Sequence, residues 1–373
     1  MKITGIETYW TQTPFDMGGK PAAFGGLNWQ SMNTVWLRVM TDKGIDGWGE
    51  AFGHGGSAAS LAVLDTQLAP AVLGQDARDI AGLRRRLGQA FHLYGQNGAH
   101  TYAMSALDIA LWDIAGKAAN QPLWRLLGGS PVDTLTSYAS LLRYGSADQV
   151  AAACQRATGR GYRDIKLHEI TLPEIAAARD AIGDDVRLMV DVNCPWTVWQ
   201  ALAMARDLED LDLTWLEEPV WPPTDHEGLS RVRLEGGIPI AAGENAAGLH
   251  DFRASFEAGA QDIAQPSVTK IGGPSAMIEI AALAKAFAVR LVPHNAYFGA
   301  GYLASLHLNA ALAPEAPFER LFVDLEASPY HDMVEAQNGT VRVPDGPGLG
   351  RDPDMHVLRR YLVREPTTHQ LSS

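Results

Sequence analysis

Three carboxylates, Asp191, Glu217 and Glu244, sit in the segments LMVDVN, WLEEP and AAGEN, each closing a short apolar run, at intervals of 26 and 27 residues. Burying an ionised carboxylate is costly unless a cation or a donor network offsets it. Three hard oxygen donors, with no cysteine and no close histidine pair among them, favour Mg²⁺ or Mn²⁺ over Zn²⁺. Unrelated acids capping helices would show no such rhythm. An interval of about 25 residues fits one strand plus one helix, which sets the same strand end of consecutive units on one face of a parallel sheet.

A second set of groups can move protons. The segment YRDIKLH ends in Lys166, Leu167 and His168, and strand alternation puts Lys166 and His168 on one face. VRLVPH ends in His294, five units further on and so across a closed barrel. A carboxylate substrate set between the two histidines can lose its α-proton to one, the enediolate charge being met by the cation and Lys166. The other histidine can return a proton or protonate a leaving group. Alternation turns Glu218 away from the Glu217 position, towards a neighbouring basic group. His54, His100, His226 and His331 are read as surface or structurally satisfied histidines. The chain has no G-x-S-x-G elbow, C-x-x-C pair or H-E-x-x-H pair.

The elements that must hold these groups follow from periodicity. From Leu135 onward short apolar strands alternate with amphipathic helices: TLTSYAS, YRDIKLH, VRLMVDVN, LTWLEEP, PIAAGEN, DIAQPSV, VRLVPH and FERLFVDL. Eight such strands predict an α/β fold with a (β/α)8-type barrel over residues 129–325, whose strand ends share one mouth. Before it, ITGIETYW and NTVWLRVMTDKGIDGWGEA read as strands with a hairpin at Asp42-Lys43-Gly44. Helices follow in ASLAVLDTQLAPAVLG and in AHTYAMSALDIALWDIAGKAANQPLWRLLGG, the latter closing on Gly128-Gly129. Residues 1–128 are thus an N-terminal α+β capping domain over the mouth. After the last strand, where the eighth helix is the weakest feature of the pattern, residues 326–373 carry the extended VRVPDGPGLGRDPD and are expected to return to that domain.

Composition narrows the partners. The 373 residues are 46% hydrophobic, ample for two domains, and the net charge of −13 argues against nucleic acid and anionic membrane. Two cysteines, a start without signal-peptide character and no apolar run of about 18 residues make the cytoplasm the expected compartment.

Taken jointly, K-x-H at Lys166–His168, the Asp/Glu/Glu series, WLEEP, GEN, TKIGG before a later histidine and the closing PDGPGLG resemble the enolase superfamily, in its mandelate racemase group, from Met1 to about Leu362. The resemblance implies Mg²⁺ on Asp191, Glu217 and Glu244, with His294 as strand-seven acid/base. It also implies Glu319 in FERL as a substrate-binding carboxylate, and a homo-oligomer, dimer or octamer. It further implies cap loops around Met17–Leu27 and Glu50–His54 that select substrate. Such sites use a Lys or His base with Mg²⁺ stabilising an ene-diolate. Two departures stand out: His168 replaces the usual second lysine, and Ser267 stands where an aspartate orients the strand-seven histidine. Lys270 aligns with the catalytic lysine of another branch and is kept as an alternative proton carrier.

The expected activity is Mg²⁺-dependent dehydration of an acid sugar or related hydroxy acid to a 2-keto-3-deoxy acid, a hydro-lyase reaction with Lys166, His168, His294 and Glu319 as catalytic groups. Two dissimilar proton carriers suit elimination better than a symmetric two-base racemisation. The alternatives are a racemase or epimerase using the same groups, a silent barrel kept as a binding protein, and a metal-dependent isomerase or aldolase of other ancestry. Asn193, Trp29 and Tyr297 are the candidate substrate contacts, with Phe15, Phe24, Leu27, Asn28, Trp196 and Asn295 nearby.

Overall fold

The computed structural model describes residues 1–20 and 29–371, so Phe24, Leu27 and Asn28 lie outside the described residues. The chain opens with β1 (Ile3–Asp16), β2 (Ser31–Thr41) and β3 (Gly47–Ala51), an antiparallel meander whose tight turn is opened by Gly44 at φ 67°. Alternation along β2 sorts its side chains: Val35, Leu37 and Val39 enter a core with Ile3, Ile6, Leu61 and Leu107, while Trp36 enters the barrel-side core with Tyr9 and Trp48. The helix Ala99–Ala119 lies so close on β3 that a Cβ at Gly49 would stand 1.9 Å from the Ala106 carbonyl oxygen. That helix stops earlier than its sequence pattern predicts. Asn120 takes a left-handed φ of 51°, and Pro122, which cannot continue a helix, separates it from the short turn Leu123–Leu126.

Eight parallel strands then form the second sheet: β4 (Thr134–Ser140), β5 (Asp164–Leu167), β6 (Arg187–Asp191), β7 (Leu213–Glu217), β8 (Ile240–Ala242), β9 (Ile263–Ala264), β10 (Arg290–Leu291) and β11 (Phe318–Leu321). Pairing runs in chain order from β4 to β10, and β11 returns to pair with β4. Seven helices separate them. Where an eighth would follow, the chain leaves at once as β12 (Asp324–Leu325) to pair with β1, three residues past the end of β11. The barrel's inside is plugged by Tyr138, Met189, Trp215, Ala241, Ile263 and Val292. The residues two positions later on the same strands lie one layer nearer the mouth.

The C-terminal segment divides its pairing. β13 (Thr340–Arg342) adds antiparallel to the start of β4 rather than to the cap, and β14 (Thr367–Gln370) then joins β1. Residues 326–373 thus divide between the two domains, because the first residues of β4, beyond its pairing with β5 and β11, take up the strand at 340–342. Cap and barrel are further joined by Asp108, which accepts from the backbone N–H and the hydroxyl of Ser275, both at 2.8 Å. Among the described residues no helix is long and apolar enough to cross a membrane.

Candidate active site

The inward layer above the plug carries the chemistry. Asp191 lies two residues beyond Met189, and Glu217 two beyond Trp215. The two acids are direct register partners on β6 and β7. Alternation would make Gly243 the next member after Ala241, yet Glu244 is the one delivered. Gly243 takes φ 128° and leaves no room for a Cβ against the Phe252 ring, so the chain turns and brings the following side chain inward. One oxygen each of Asp191, Glu217 and Glu244 come within 4.8 Å of one another. Asp191 and Glu217 are buried, while Glu244 opens to the cavity.

Lys166 lies beneath this floor, fully buried, with Nζ 2.9 Å from Glu217 Oε1, 2.7 Å from Glu319 Oε1 and 3.4 Å from Asp191 Oδ2. Burial pulls the ammonium down, but Glu217, Glu319, Tyr138 and Asp191 outweigh it and hold Lys166 well above its ordinary value. It is therefore a fixed positive charge. Glu217 Oε2 accepts from Trp215 Nε1 at 2.9 Å and Gln265 Nε2 at 2.8 Å, so each oxygen of this buried acid has a donor. Burial pushes the Glu319 carboxyl up, but Lys166 and then His294 hold it below the usual range, and its Oε2 accepts from the Asn295 backbone N–H at 2.9 Å.

The two histidines are held differently. His168 Nδ1 is 2.6 Å from the Leu141 carbonyl; a carbonyl only accepts, so in the neutral ring Nδ1 carries the hydrogen and Nε2 is the basic nitrogen, 3.4 Å from Asp191 Oδ2. His294 sets Nε2 2.7 Å from Glu244 Oε2, a geometry in which Nε2–H donates, and its buried Nδ1 has no partner among the described residues. Beside it Ser267 turns its hydroxyl to Tyr297 at 3.3 Å. A cavity of about 320 Å³ separates the two rings. Its floor carries His168, Asn193, Glu244, His294 and Glu319, and its cap side Met17, Trp29, Phe52, His54 and Tyr102.

A triad of acids on successive strand ends, faced by two histidines under an α+β cap, is also what comparison with known proteins finds. Residues 149–357 match the enolase C-terminal domain-like family, and residues 5–128 match the mandelate racemase/muconate lactonizing enzyme N-terminal domain. The chain belongs to the mandelate racemase/muconate lactonizing enzyme family. A D-galactarolactone cycloisomerase of Agrobacterium fabrum is 33% identical, the match covering 98% of this chain and all of that one. An arabinonate dehydratase of Saccharolobus solfataricus is 32% identical over 92% of this chain and 94% of its own. The crystal structure of a racemase from Streptomyces coelicolor with bound magnesium superimposes with a TM-score of 0.85 at 30% identity, covering 96% of this chain and 99% of that one.

Within this member of the family, the structure brings together all seven residues expected at the metal and proton-transfer centre, with Lys166 set below the cavity rather than on its surface. Asn193 and Trp29 line the cavity as expected. Tyr297 does not. It is 2% exposed, and its hydroxyl meets the His294 carbonyl at 3.2 Å and Ser305 at 3.3 Å, because the chain bends inward after β10 and buries the ring behind the histidine. Asn295 likewise serves Glu319, through its backbone N–H and a side-chain bond to the Glu319 carbonyl. Glu218 holds no basic group directly: its Oε2 accepts from Asn245 Nδ2 at 2.6 Å, and Asn245 Oδ1 accepts from Lys270 Nζ at 3.1 Å.

Sequence does not single out Gln265, His54, Arg143 or Asn245 for the site. Gln265 was readable, since it stands two beyond the plug residue Ile263, but a neutral amide gives no charge signal. His54 reads as a structural histidine by type, although the resemblance sets its loop over the mouth; it lines the mouth, bonded to the Ala296 carbonyl at 2.8 Å. Arg143, whose Nε donates to the His168 carbonyl at 2.5 Å, and Asn245 sit on loops without periodicity.

Proposed function

We propose that this protein dehydrates a hydroxylated sugar acid, with His168 as base and His294 as acid. The observation that carries the reading is the unequal dress of the two imidazoles: His168 is anchored through Nδ1, leaving Nε2 as the basic atom, whereas His294 directs an N–H from Nε2 towards a carboxylate. His168 Nε2 takes the α-proton, and the C–H electron pair becomes the enediolate π bond. That pair then expels the β-hydroxyl, which leaves as water with the proton given by His294, and the enol product relaxes to a 2-keto-3-deoxy acid. Elimination gives the two rings fixed and different roles, which suits their unlike hydrogen bonding better than a two-base racemisation in which each ring acts as base in turn.

The donor set fits a hard divalent cation, Mg²⁺ or Mn²⁺: three carboxylate oxygens and no sulfur or imidazole within the cluster. Asp191, Glu217 and Glu244 would hold it, and when bound it supplies positive charge against the substrate's carboxylate oxygens. Lys166 keeps Glu217, Glu319 and Asp191 oriented and adds fixed positive charge below the reacting carbon. Glu319, ionised, accepts a substrate hydroxyl, and Asn193 borders the same floor. Relatives named arabinonate dehydratase and D-galactarolactone cycloisomerase support a sugar acid as substrate.

The test is incubation with Mg²⁺ in D₂O against sugar acids, hydroxy acids and amino-acid derivatives, read by mass spectrometry. Loss of water with a keto-acid product is the expected result. Deuterium gain at unchanged connectivity, with the stereoisomer as product, would assign racemisation or epimerisation instead.

A further inference from the structure

The two imidazoles stand on unlike supports. His168 is anchored inside the barrel, through its Nδ1 and the Leu141 carbonyl. His294 stands three residues beyond the end of β10, and its Nδ1 has no partner among the described residues, the Ser267 hydroxyl beside it being turned to Tyr297. Its contact with Glu244 apart, the direction of this ring rests on the backbone that carries it and on the Tyr297 ring packed edge-on at 6.4 Å.

That backbone is held from both domains. The barrel takes its first part: the His294 N–H donates to the Pro266 carbonyl at 3.2 Å, and the Asn295 N–H to Glu319 at 2.9 Å. The cap takes the rest. His54 Nε2 lies 2.8 Å from the Ala296 carbonyl oxygen, and since that oxygen only accepts, Nε2 carries the hydrogen. Burial lowers the pKa of His54 to about 4, so at physiological pH the ring is neutral and its single N–H is committed to Ala296. Phe52, stacked at 4.8 Å with 8° between planes, and Trp29, edge-on at 4.2 Å, hold the plane of the ring. Five residues past Ala296, Glu50 Oε2 accepts from the Gly301 N–H at 2.8 Å, at the start of the helix Ala300–Leu312. A Cβ at Gly299 would stand 2.5 Å from the same oxygen, so the chain passes the carboxylate with no side chain between them. His54 and Glu50, from the end of β3 and the loop after it, thus grip the chain two and seven residues beyond His294.

We propose that His54 is a positioning residue for His294: its bond to the Ala296 carbonyl, backed by Glu50 at Gly301, ties the proton donor for the β-hydroxyl to the cap and leaves the base on the barrel side untouched. The inference rests on the dehydration reading, in which the His294 Nε2 proton passes to the departing hydroxyl oxygen as the C–O bond breaks, and adds to it that this second step depends on the cap. A donor moved out of line slows the step it serves, and here that step is elimination, not abstraction of the α-proton.

The experiment reads how the enediolate divides in D₂O with Mg²⁺, on whichever sugar acid the wild type dehydrates. Loss of the β-hydroxyl gives the keto acid; reprotonation, after His168 has exchanged its proton with solvent, gives back substrate carrying deuterium. Mass spectrometry gives the ratio of the second fate to the first. His54→Leu removes the N–H, and His54→Gln sets an amide N–H at the place of Nε2. His54→Leu should raise the ratio by about tenfold, the factor carried by one hydrogen bond of ordinary strength, while the summed rate of both fates stays close to the wild type. His54→Gln should bring the ratio back. A residue that only walls the cavity would change KM or slow both fates together. A ratio unmoved in His54→Leu, or raised equally in His54→Gln, overturns the inference and leaves the dehydration reading standing. If His54→Leu does not fold, His54→Asn, whose shorter side chain sets its amide at the place of Nδ1 and gives up the bond to Ala296, is read in its stead. A wild type that releases water from no sugar acid overturns the dehydration reading, and the inference with it.

Discussion

The two walls of the cavity are built on different principles. On the barrel side Asp191, Glu217, Glu244, Lys166, His168, His294 and Glu319 come from six different strand ends, and their charges are locked by one another and by Trp215, Gln265 and Asn295. On the cap side Met17, Trp29, Phe52, His54 and Tyr102 offer aromatic and apolar surface with a single neutral imidazole. The ladder between adjacent strands fixes the direction of Lys166, Asp191, Glu217 and Glu319, whereas Met17, Trp29, Phe52 and His54 on the cap side stand on loops whose direction depends on contacts across the domain junction. Proton transfer needs fixed geometry, and substrate choice tolerates variation. The first is accordingly placed on strands and the second on loops.

The sharpest break of this comparison is His168→Asn, expected to lower α-proton exchange by about 10²–10⁴-fold while the far-UV spectrum and melting temperature stay near wild type. Retained exchange would put the base elsewhere. Next is Lys166→Met, which strips the buried carboxylates of their counter-charge and should cost roughly 3–5 kcal/mol in urea unfolding. Arg84→Ala, which cuts the partly exposed Arg84–Glu279 pair between cap and barrel, should cost no more than about 1 kcal/mol. Equal losses would mean that burial does not distinguish the two networks.

The cap's attachment has its own pH signature. Glu50, buried at the end of β3, accepts from the Gly301 backbone N–H at 2.8 Å, and burial raises its pKa from 4.5 to about 8. The folded protein thus holds a proton that the unfolded chain has already lost between pH 4.5 and 8. Stability should fall as pH rises through that window, by a few kcal/mol at ~1.4 kcal/mol per unit, and Glu50→Gln should flatten the slope. A wild-type melting profile no steeper than that of the glutamine variant would sink this account.

A metal titration probes the barrel side alone. Mg²⁺ at a hundredfold over its Kd should raise stability by about 2.7 kcal/mol, and the gain should vanish in Glu244→Gln. The smallest effect is expected from Trp29→Ala, which should raise KM up to about tenfold and leave kcat within about twofold, as suits a ring that packs on His54 without touching the proton carriers. A fall in kcat comparable to that of His168→Asn would erase the division between the walls.

How much of this was legible depends on where a residue sits. The alternation that paired Lys166 with His168 also places Asp191 above Met189 and Glu217 above Trp215, and those positions agree with the structure. The same rule fails at Glu244, where Gly243 breaks the alternation, while Glu218 stays outside the acid triad, its φ of 47° turning it towards Asn245 and Cys194. Apolar spacing continues past Pro122, so the pattern alone extends the helix that Asn120 caps, and the tail's pairing with β4 leaves no periodic trace.

The sequence by itself determined the strand–helix rhythm, the convergence of three acids with two histidines and a lysine, and the presence of a cap, because each follows from local periodicity that the backbone must obey. Only the tertiary structure decided that Lys166 sits beneath the floor, that Tyr297 turns away while His54 turns in, and that the two imidazoles have opposite hydrogen-bonding states. Those outcomes depend on partners far away in the chain: Glu319 for Lys166, Ser267 for Tyr297, Ala296 for His54 and Leu141 for His168. No local pattern encodes which carbonyl or carboxylate a side chain will meet once the barrel has closed.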